Sequence, residues 1–596
     1  MIAPPATRPP AVPRPRATLG GLVAAAVALA TGELVCGLLD DGPSLVSAVG
    51  TQFIDRFAGD LKEFAVRVFG TNDKVALVVG IVVVSLVFGA LLGRLARRRF
   101  VFGALGYVAF GAVGLLCYLA DPLGSPPTGI AAAMAAVLTG IASLAWLFRL
   151  GRLRRPALPA AGPVAIGLET VPLHRPSRRL FLAAAAVLGI GATSAAVLGR
   201  RFARSTVVES ARRRTVLPEP AAPVKAPKLS PSTTAAPATS TTPATTIAPE
   251  TTAADTAAAS TTTTTVAETT TTVAETTTTV AETTTTVAET TTAAAGPAAS
   301  EVEGITPYIT PNRGFYRIDT ALIKPQVDVS SWLLGVTGLV ERPFEIGYDE
   351  LVAMSTAEDT VTLQCVSNEV GGTLVGNAVW QGVPLATLLA RAGVQPGATQ
   401  IVGRSVDDFT AGFPTAVGLD GRTALVAVGM NGEPLPVDHG FPARLIVAGL
   451  YGYVSATKWL AEIELTTLDG FDGYWIPRGW SKDGPIKTAS RIDVPRADMF
   501  LRPGRYPIAG VAWAPVQGVA AVEVQVDDGP WMAARLGDTT SGNTWAQWVV
   551  DWDATPGAHI LRVRAIGRDG VTQTEQVAPP IPNGASGWHS RRVRVY

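Results

Sequence analysis

Cys365 stands in the stretch TLQCVSNEVGG and is the one cysteine outside long apolar runs, where Cys36 and Cys117 both lie. A lone cysteine has two readings: a small core-packed thiol, or a soft thiolate ligand for a polarizable metal, which coordination would keep deprotonated. The polar, Gly-rich residues after it read as a loop rather than a strand interior. They favour the ligand reading without closing the other. A zinc site does not fit, because no second cysteine lies within reach and His439 has no histidine neighbour in sequence. Arg444 and Lys458 come after His439 and on residue type alone read as surface charges. C-x-x-C-H is absent, so no haem attachment motif occurs in the chain.

These residues need a folded scaffold, and 301–596 supplies one, with Trp, Tyr and Phe among short apolar runs broken by Gly, Pro and Asp. Strands are expected at 443–447 and 463–466 and a helix at 385–392, which makes this part α+β. Further on, Val522, Val524 and Val526 alternate with Glu523 and Gln525 before the turn Asp528-Gly529, and Leu561, Val563 and Ala565 alternate with Arg562 and Arg564 before Asp569-Gly570. About 100 residues of this kind read as an all-β immunoglobulin-like sandwich without a disulfide. Domains are expected at 303–490 and 491–596.

The whole chain is 596 residues long, 47% hydrophobic and only 16% charged, with a mean hydropathy of +0.29. An average globular chain carries about 25% charge, so part of this one belongs in lipid. Apolar stretches at 19–39, 75–93, 100–119, 129–148 and 180–198 each suffice to cross a core of ~30 Å, and 1–200 reads as an all-α bundle of five transmembrane helices. Arg8, Arg14, Arg16, Arg94, Arg97–Arg99, Arg149, Arg152, Arg154 and Arg155 flank alternate ends and face the cytoplasm by the positive-inside rule. An odd number of spans then places everything after residue 198 outside, although Arg200, Arg201, Arg204 and Arg212–Arg214 oppose that. Between the first two spans, Val46, Val49, Phe53, Phe57, Leu61, Phe64 and Val68 recur at helical spacing. This is a helix lying on the membrane surface or one capping the bundle. No span contains a histidine, so a bis-histidine haem is excluded from them. A formal net charge of +1 gives no reason to expect nucleic acid as a partner.

From 201 to 302 the chain is Thr, Ala, Pro and Ser, with the unit TTTTVAE repeated around Val266, Val273, Val280 and Val287. One apolar residue per heptad is too few for a coiled coil, and Thr is a poor helix former. The segment reads as a disordered stalk that holds the soluble module roughly 50 to 60 Å from the bilayer.

TPNRGFYRIDT (310–320), TLQCVSNEVGG (362–372), AVWQGVPL (378–385), DHGFPARLIVAGLYGYVSATKWL (438–460) and GWSKDGPIKTASRIDVP (479–495) together resemble the sulfite oxidase family of molybdopterin-dependent oxidoreductases. The resemblance implies one molybdenum-molybdopterin cofactor per chain, with Cys365 as the metal ligand. It implies His439, Arg444 and Lys458 on the pterin and its phosphate, joined by Ser455, Thr457, Ser405 and Asp407. Asn312 and Tyr316 resemble cofactor contacts of the bacterial methionine sulfoxide reductase subunit in the same superfamily, and Arg317 and Phe409 fall at the catalytic face. The C-terminal sandwich resembles the family's dimerisation domain, which implies a homodimer.

The resemblance and the membrane spans together imply a membrane-anchored, extracytoplasmic oxidoreductase that transfers an oxygen atom to or from a small substrate: a sulfoxide, an N-oxide or a sulfite-like molecule. Lacking haem, it would exchange electrons with a separate cytochrome or quinone-linked protein. SRRLFL (177–182) resembles a twin-arginine export motif, which would move the cofactor-loaded domain folded; the alternative is an ordinary basic cluster. Sulfite oxidases carry arginines where this chain has Glu369 and Val370, a tyrosine at Phe409 and a histidine at Thr320. A neutral organic substrate is therefore expected over sulfite, with Arg317 and Arg404 the cations left to compensate. The competing reading is a cofactor-free surface binding or adhesion protein on a mucin-like stalk.

Overall fold

The computed structural model describes residues 12–39, 43–57, 73–151, 178–202, 206–221, 299–497 and 499–596. The TTTTVAE repeats, residues 58–72 of the interspan segment, and the side chains of Arg178 and Arg179 lie outside these.

The bundle comprises α1 (Arg14–Leu39), α2 (Leu45–Phe57), α3 (Asp73–Ala96), α4 (Phe100–Leu119), α5 (Pro126–Gly151) and α6 (Arg178–Phe202). By length and hydropathy α1, α3, α4 and α5 can each cross a membrane, whereas the apolar part described for α6 is Leu180–Ala192. Close helix approach in lipid relies on small residues, and α1 meets α3 that way. A Cβ on Gly21 would lie 2.2 Å from the Gly89 carbonyl oxygen and 2.7 Å from the Gly93 Cα. Phe181 of α6 packs with Val23 and Leu147, so the fifth helix belongs to the bundle. The short α2 turns Val46, Val49 and Phe53 toward an apolar chamber among the helices and Ser47, Thr51 and Asp55 toward a cleft against the soluble part. That is the capping arrangement.

The α+β part has two sheets. In the first, β1 (Leu333–Gly338) lies between β2 (Phe344–Gly347) and β9 (Leu460–Thr466), and β5 (Gln400–Ser405) and β6 (Thr410–Pro414) come after β9. The second runs β3 (Ala357–Gln364), β4 (Val375–Pro384) and β7 (Ala424–Met430), with β8 (Arg444–Val447) also on β7. Val336, Ile401, Ile463, Leu363, Trp380 and Leu445 from both sheets share one core. The expected helix at 385–392 is present, and buries Leu385, Leu388, Leu389 and Ala392 at helical spacing before a left-handed Gly393 ends it.

In the C-terminal part, β10 (Ala489–Val494), β11 (Gly504–Trp513) and β13 (Ala546–Ala554) form one sheet, and β12 (Val519–Val526), β14 (Gly557–Gly567) and β15 (His589–Val595) the other, with two-residue strands at their edges. Ile508 and Trp548 from the first meet Val522, Val524, Leu561 and Val563 from the second. The alternation seen in the sequence thus marks the inner faces of two packed sheets.

The junctions differ from the stalk expectation. After α6, helix α7 (Thr206–Arg214) lies on the α+β part, with Val208 in its core. Arg212 Nε donates to the Leu435 carbonyl at 2.9 Å, Gln381 Nε2 to the Pro218 carbonyl at 2.7 Å, and Ala221 N to Thr356 O at 2.9 Å. The chain is anchored again at Ala299 and Val302, which pack with Ala509 and Val549. Nor is the soluble part held away from the helices: Tyr474 Oη donates to Asp55 Oδ1 at 2.8 Å, and Lys74 at the start of α3 bonds Asp319. The contacting end of the bundle is the one opposite Arg94 and Arg149.

Candidate functional site

A cavity of about 880 Å³, counting its open mouth, sits where the loops of both sheets meet. Its floor is Cys365, the first residue after β3. Cys365 N donates to Leu374 O at 2.9 Å and Asn368 N to Cys365 O at 3.0 Å. Asn368 Oδ1 accepts from Leu374 N at 2.8 Å, which closes the loop. Gly371 has φ +76°, and a Cβ there would strike the His589 ring at 2.2 Å, so the loop is seated directly on the sandwich. Cys365 Sγ lies 2.9 Å from Ser367 Oγ.

One wall is cationic. His439 ends a short 3-10 turn; its Nε2 donates to the Asn312 carbonyl at 2.9 Å, and burial lowers its pKa to about 4, so the ring is neutral. Arg444 opens β8, stacks 5.0 Å from Trp380, and donates to the carbonyls of His439 at 3.0 Å and Ala456 at 3.4 Å. Among the described residues no carboxylate faces it and its Nε, though buried, has no hydrogen-bond partner; burial pushes its pKa down to about 10. Lys458 Nζ donates to Asp319 Oδ2 at 2.6 Å, and burial, opposed by Asp319, lowers its pKa to about 8. Burial alone would raise Asp319, but Lys458, Lys74 and Arg317 outweigh it and hold the carboxyl well below its usual range.

The turn from β5 to β6 presents Ser405, Asp407 and Phe409. Asp407 N bonds Ser405 Oγ and Phe409 N bonds Asp407 Oδ1, both at 3.4 Å. Burial pushes the Asp407 carboxyl up, against the hydrogen bond from Ser405. Tyr316 stacks on Phe315 at 5.2 Å, and burial raises its phenol pKa, keeping it a neutral donor.

Of the expected residues, Cys365, Tyr316, Ser405, Asp407, Phe409, His439, Arg444 and Lys458 line this cavity. Four do not. The Asn312 amide is tied to Asn431 at 2.7 Å and Glu433 at 2.7 Å, because the segment 308–316 must be stitched to the sheet it crosses. Ser455 Oγ caps the Tyr451 carbonyl at 3.0 Å, and Thr457 Oγ1 bonds Gly403 O at 3.3 Å. Arg317 lies behind Asp319, at 2.8 Å, and Asp438, at 3.3 Å. Glu369 and Val370 border a smaller cavity against the sandwich, so Glu369 does not face the site as its sequence position implied. Thr320, Asp319, Tyr453, Trp475 and Trp480 are among the other residues that line the site. Asp319, Thr320, Tyr453 and Trp480 stand inside the stretches that carry the resemblance; Trp475 lies outside them and carries no signal beyond being aromatic.

A soft sulfur donor, a buried guanidinium with no carboxylate beside it among the described residues and a buried lysine line one cavity, a set suited to a metal carried on an anionic organic group. The chemistry of these side chains fits molybdopterin: Cys365 could offer a sulfur donor to the metal, and Arg444, with its Nε buried and without a hydrogen-bond partner, could take a phosphate. Comparison with known proteins gives the same class. The family "oxidoreductase molybdopterin binding domain" matches residues 321–475. Human mitochondrial sulfite oxidase is 28% identical over 48% of this chain and 62% of its own length, so the chain spans about three fifths of that relative. The uncharacterized oxidoreductase YuiH of Bacillus subtilis is 33% identical over 26% of this chain and 76% of its own length. The sulfane dehydrogenase SoxCD of Paracoccus pantotrophus has a structure similar at 22% identity, over 50% of this chain and 83% of that one, with a TM-score of 0.44. The chain belongs to the sulfite oxidase family of molybdopterin-dependent oxidoreductases.

Proposed function

We propose that this chain is a membrane-anchored oxidoreductase that moves an oxygen atom to or from a small neutral organic substrate such as a sulfoxide or N-oxide. Its catalytic part would lie outside the cytoplasm, with electrons exchanged with a separate cytochrome or quinone-linked protein. The observation that carries the cofactor reading is Arg444, a cation buried beside Cys365 with no anion of its own. Bound there, molybdopterin would supply the two-electron oxygen-transfer chemistry. The protein's part is to ligate through Cys365, grip phosphate with Arg444 and Lys458, donate from Tyr316, offer the free ring nitrogen of neutral His439 as an acceptor, and exclude water with Phe315, Phe409, Trp475 and Trp480.

Two features support a neutral substrate. An oxyanion needs converging cations, yet Arg404 is paired with Glu464 and Glu462 and Arg317 with Asp319 and Asp438. The cavity lining offers Phe409, Thr320 and Asp407 instead. The outside placement is supported by docking at the bundle end away from Arg94 and Arg149, and by the twin-arginine-like SRRLFL. Dimerisation through an immunoglobulin-like sandwich belongs to the same reading.

The test is molybdenum and pterin content of the full chain in detergent, with assays through an artificial electron carrier. Wild type should carry one molybdenum per chain and Cys365→Ser should lose turnover entirely; a Cys365→Ser protein at full rate overturns the ligand assignment. Sulfite oxidation at kcat/KM of ~10⁴ M⁻¹s⁻¹ or more would overturn the substrate assignment.

A further inference from the structure

Asp319 takes three cations from three places in the sequence. Its side chain is 4% exposed. Oδ2 accepts from Lys458 Nζ at 2.6 Å and from Arg317 Nε at 2.8 Å, and Oδ1 accepts from Lys74 Nζ. Lys74 also donates to the Ala321 carbonyl at 2.5 Å. Lys74 lies outside the family match, in the first turn of the apolar helix α3. Close by, Arg317 and Lys324 share Asp438. Four cations thus face two carboxylates, which leaves the cluster positive on the side where Lys458 and Arg444 line the cavity.

A carboxylate divided among several cations neutralises none of them fully. Without Lys74, the whole Asp319 charge would fall on Lys458 and Arg317, and the local excess of positive charge would drop by one. Lys458 would then be drawn back onto Asp319 and offer less to an anion in the cavity. The neighbouring helix α2 also meets the soluble part here: Tyr474 bonds its Asp55 at 2.8 Å, and a Cβ on its Gly50 would meet Leu322 at 2.5 Å.

We propose that Lys74, contributed by a membrane-spanning helix, is a positioning residue of the cofactor pocket, which acts through Asp319 to keep Lys458 available to the cofactor's anionic end. This rests on the reading that the cavity holds molybdopterin. The experiment uses the full chain, loaded and in detergent, and tracks pterin and molybdenum lost per chain as sodium chloride is raised. Lys74→Met should weaken retention roughly fivefold to tenfold, the effect of one charge at this range. Lys74→Arg should restore it. In an Asp319→Asn background, adding Lys74→Met should change retention less than twofold, because the link is already cut. Retention unchanged by Lys74→Met, no rescue by arginine, or an undiminished effect beside Asp319→Asn each overturns the proposal. A wild-type chain without molybdopterin overturns the cofactor reading and this one with it; a loaded wild type with an indifferent Lys74→Met overturns this one alone.

Discussion

Arg444 in the α+β part and Arg491 in the sandwich are buried to the same extent, each 6% exposed, and their surroundings are opposite. Arg491 Nε reaches Asp493 at 2.7 Å, one terminal nitrogen donates to Gly372 O at 2.9 Å and the other to Thr306 Oγ1 at 2.6 Å. Every donor face is used, and the bonds tie the sandwich to the Cys365 loop and to the segment that leads into the catalytic part. Arg444 has two carbonyls, one aromatic face, an unused Nε and no carboxylate. A buried charge that finds its counter-ion within the chain holds the fold together. One that does not is costly until a ligand arrives, and that asymmetry separates a structural cation from a binding one.

The strongest way to break this contrast is to remove each guanidinium. Arg444→Met should lower cofactor content of the purified full chain by about a hundredfold, the order expected when a charge-assisted phosphate contact is lost. Arg491→Met should leave cofactor per folded chain near wild type while costing about 3 kcal/mol of stability, because Asp493 loses its closest cation and keeps the Thr306 N–H at 3.0 Å, with Arg591 nearby. Equal cofactor loss in both would erase the distinction. The same pair sharpens it in cofactor-free protein. There Arg444→Met should change stability by no more than about 1 kcal/mol and can raise it, since an uncompensated buried charge is removed; thermal unfolding of the two apo variants gives the comparison.

A smaller effect concerns the two buried histidines, one in each part. Burial, helped by Arg444 and Lys458, takes His439 down to about 4, and burial with Arg591 and Arg491 does the same for His589. Between pH 6.5 and about 4 the unfolded chain takes up protons that the folded chain refuses. Stability that is complete above pH 6.5 is therefore lost as pH falls toward 4, by on the order of a few kcal/mol. Melting temperatures measured from pH 7.5 to 4.5 should fall, and His589→Gln should remove about half of the slope. A flat profile would mean that these rings are hydrated rather than buried.

Much of this is legible in the sequence. The strands around Val522 and Leu561, the helix at 385–392 and the cavity residues of the recognised stretches all derive from periodicity or motif. What sequence does not convey is direction. Ser455, Thr457 and Asn312 sit in the same stretches as Lys458 and Tyr316, yet their polar atoms satisfy nearby backbone or neighbouring side chains, a choice made by a few degrees of local geometry. Glu369 departs from its expected place for the same reason, since one turn of loop swings it from the cavity to the sandwich. Asp319 stands in one of these stretches, yet its role is not readable there, because it exists only when residues 74, 317 and 458 converge.

The anchoring of Ala221 on Thr356 and of Ala299 on Ala509 has a consequence for how this protein can vary. The described chain on each side of the Thr-rich stretch is fixed to the same folded unit, so the distance between those two points is set by their own contacts. Closure entropy grows only with the logarithm of length, about 0.6 kcal/mol for each doubling. Gain or loss of whole TTTTVAE units, the usual accident of repetitive DNA, should therefore leave the gap between bilayer and pocket untouched.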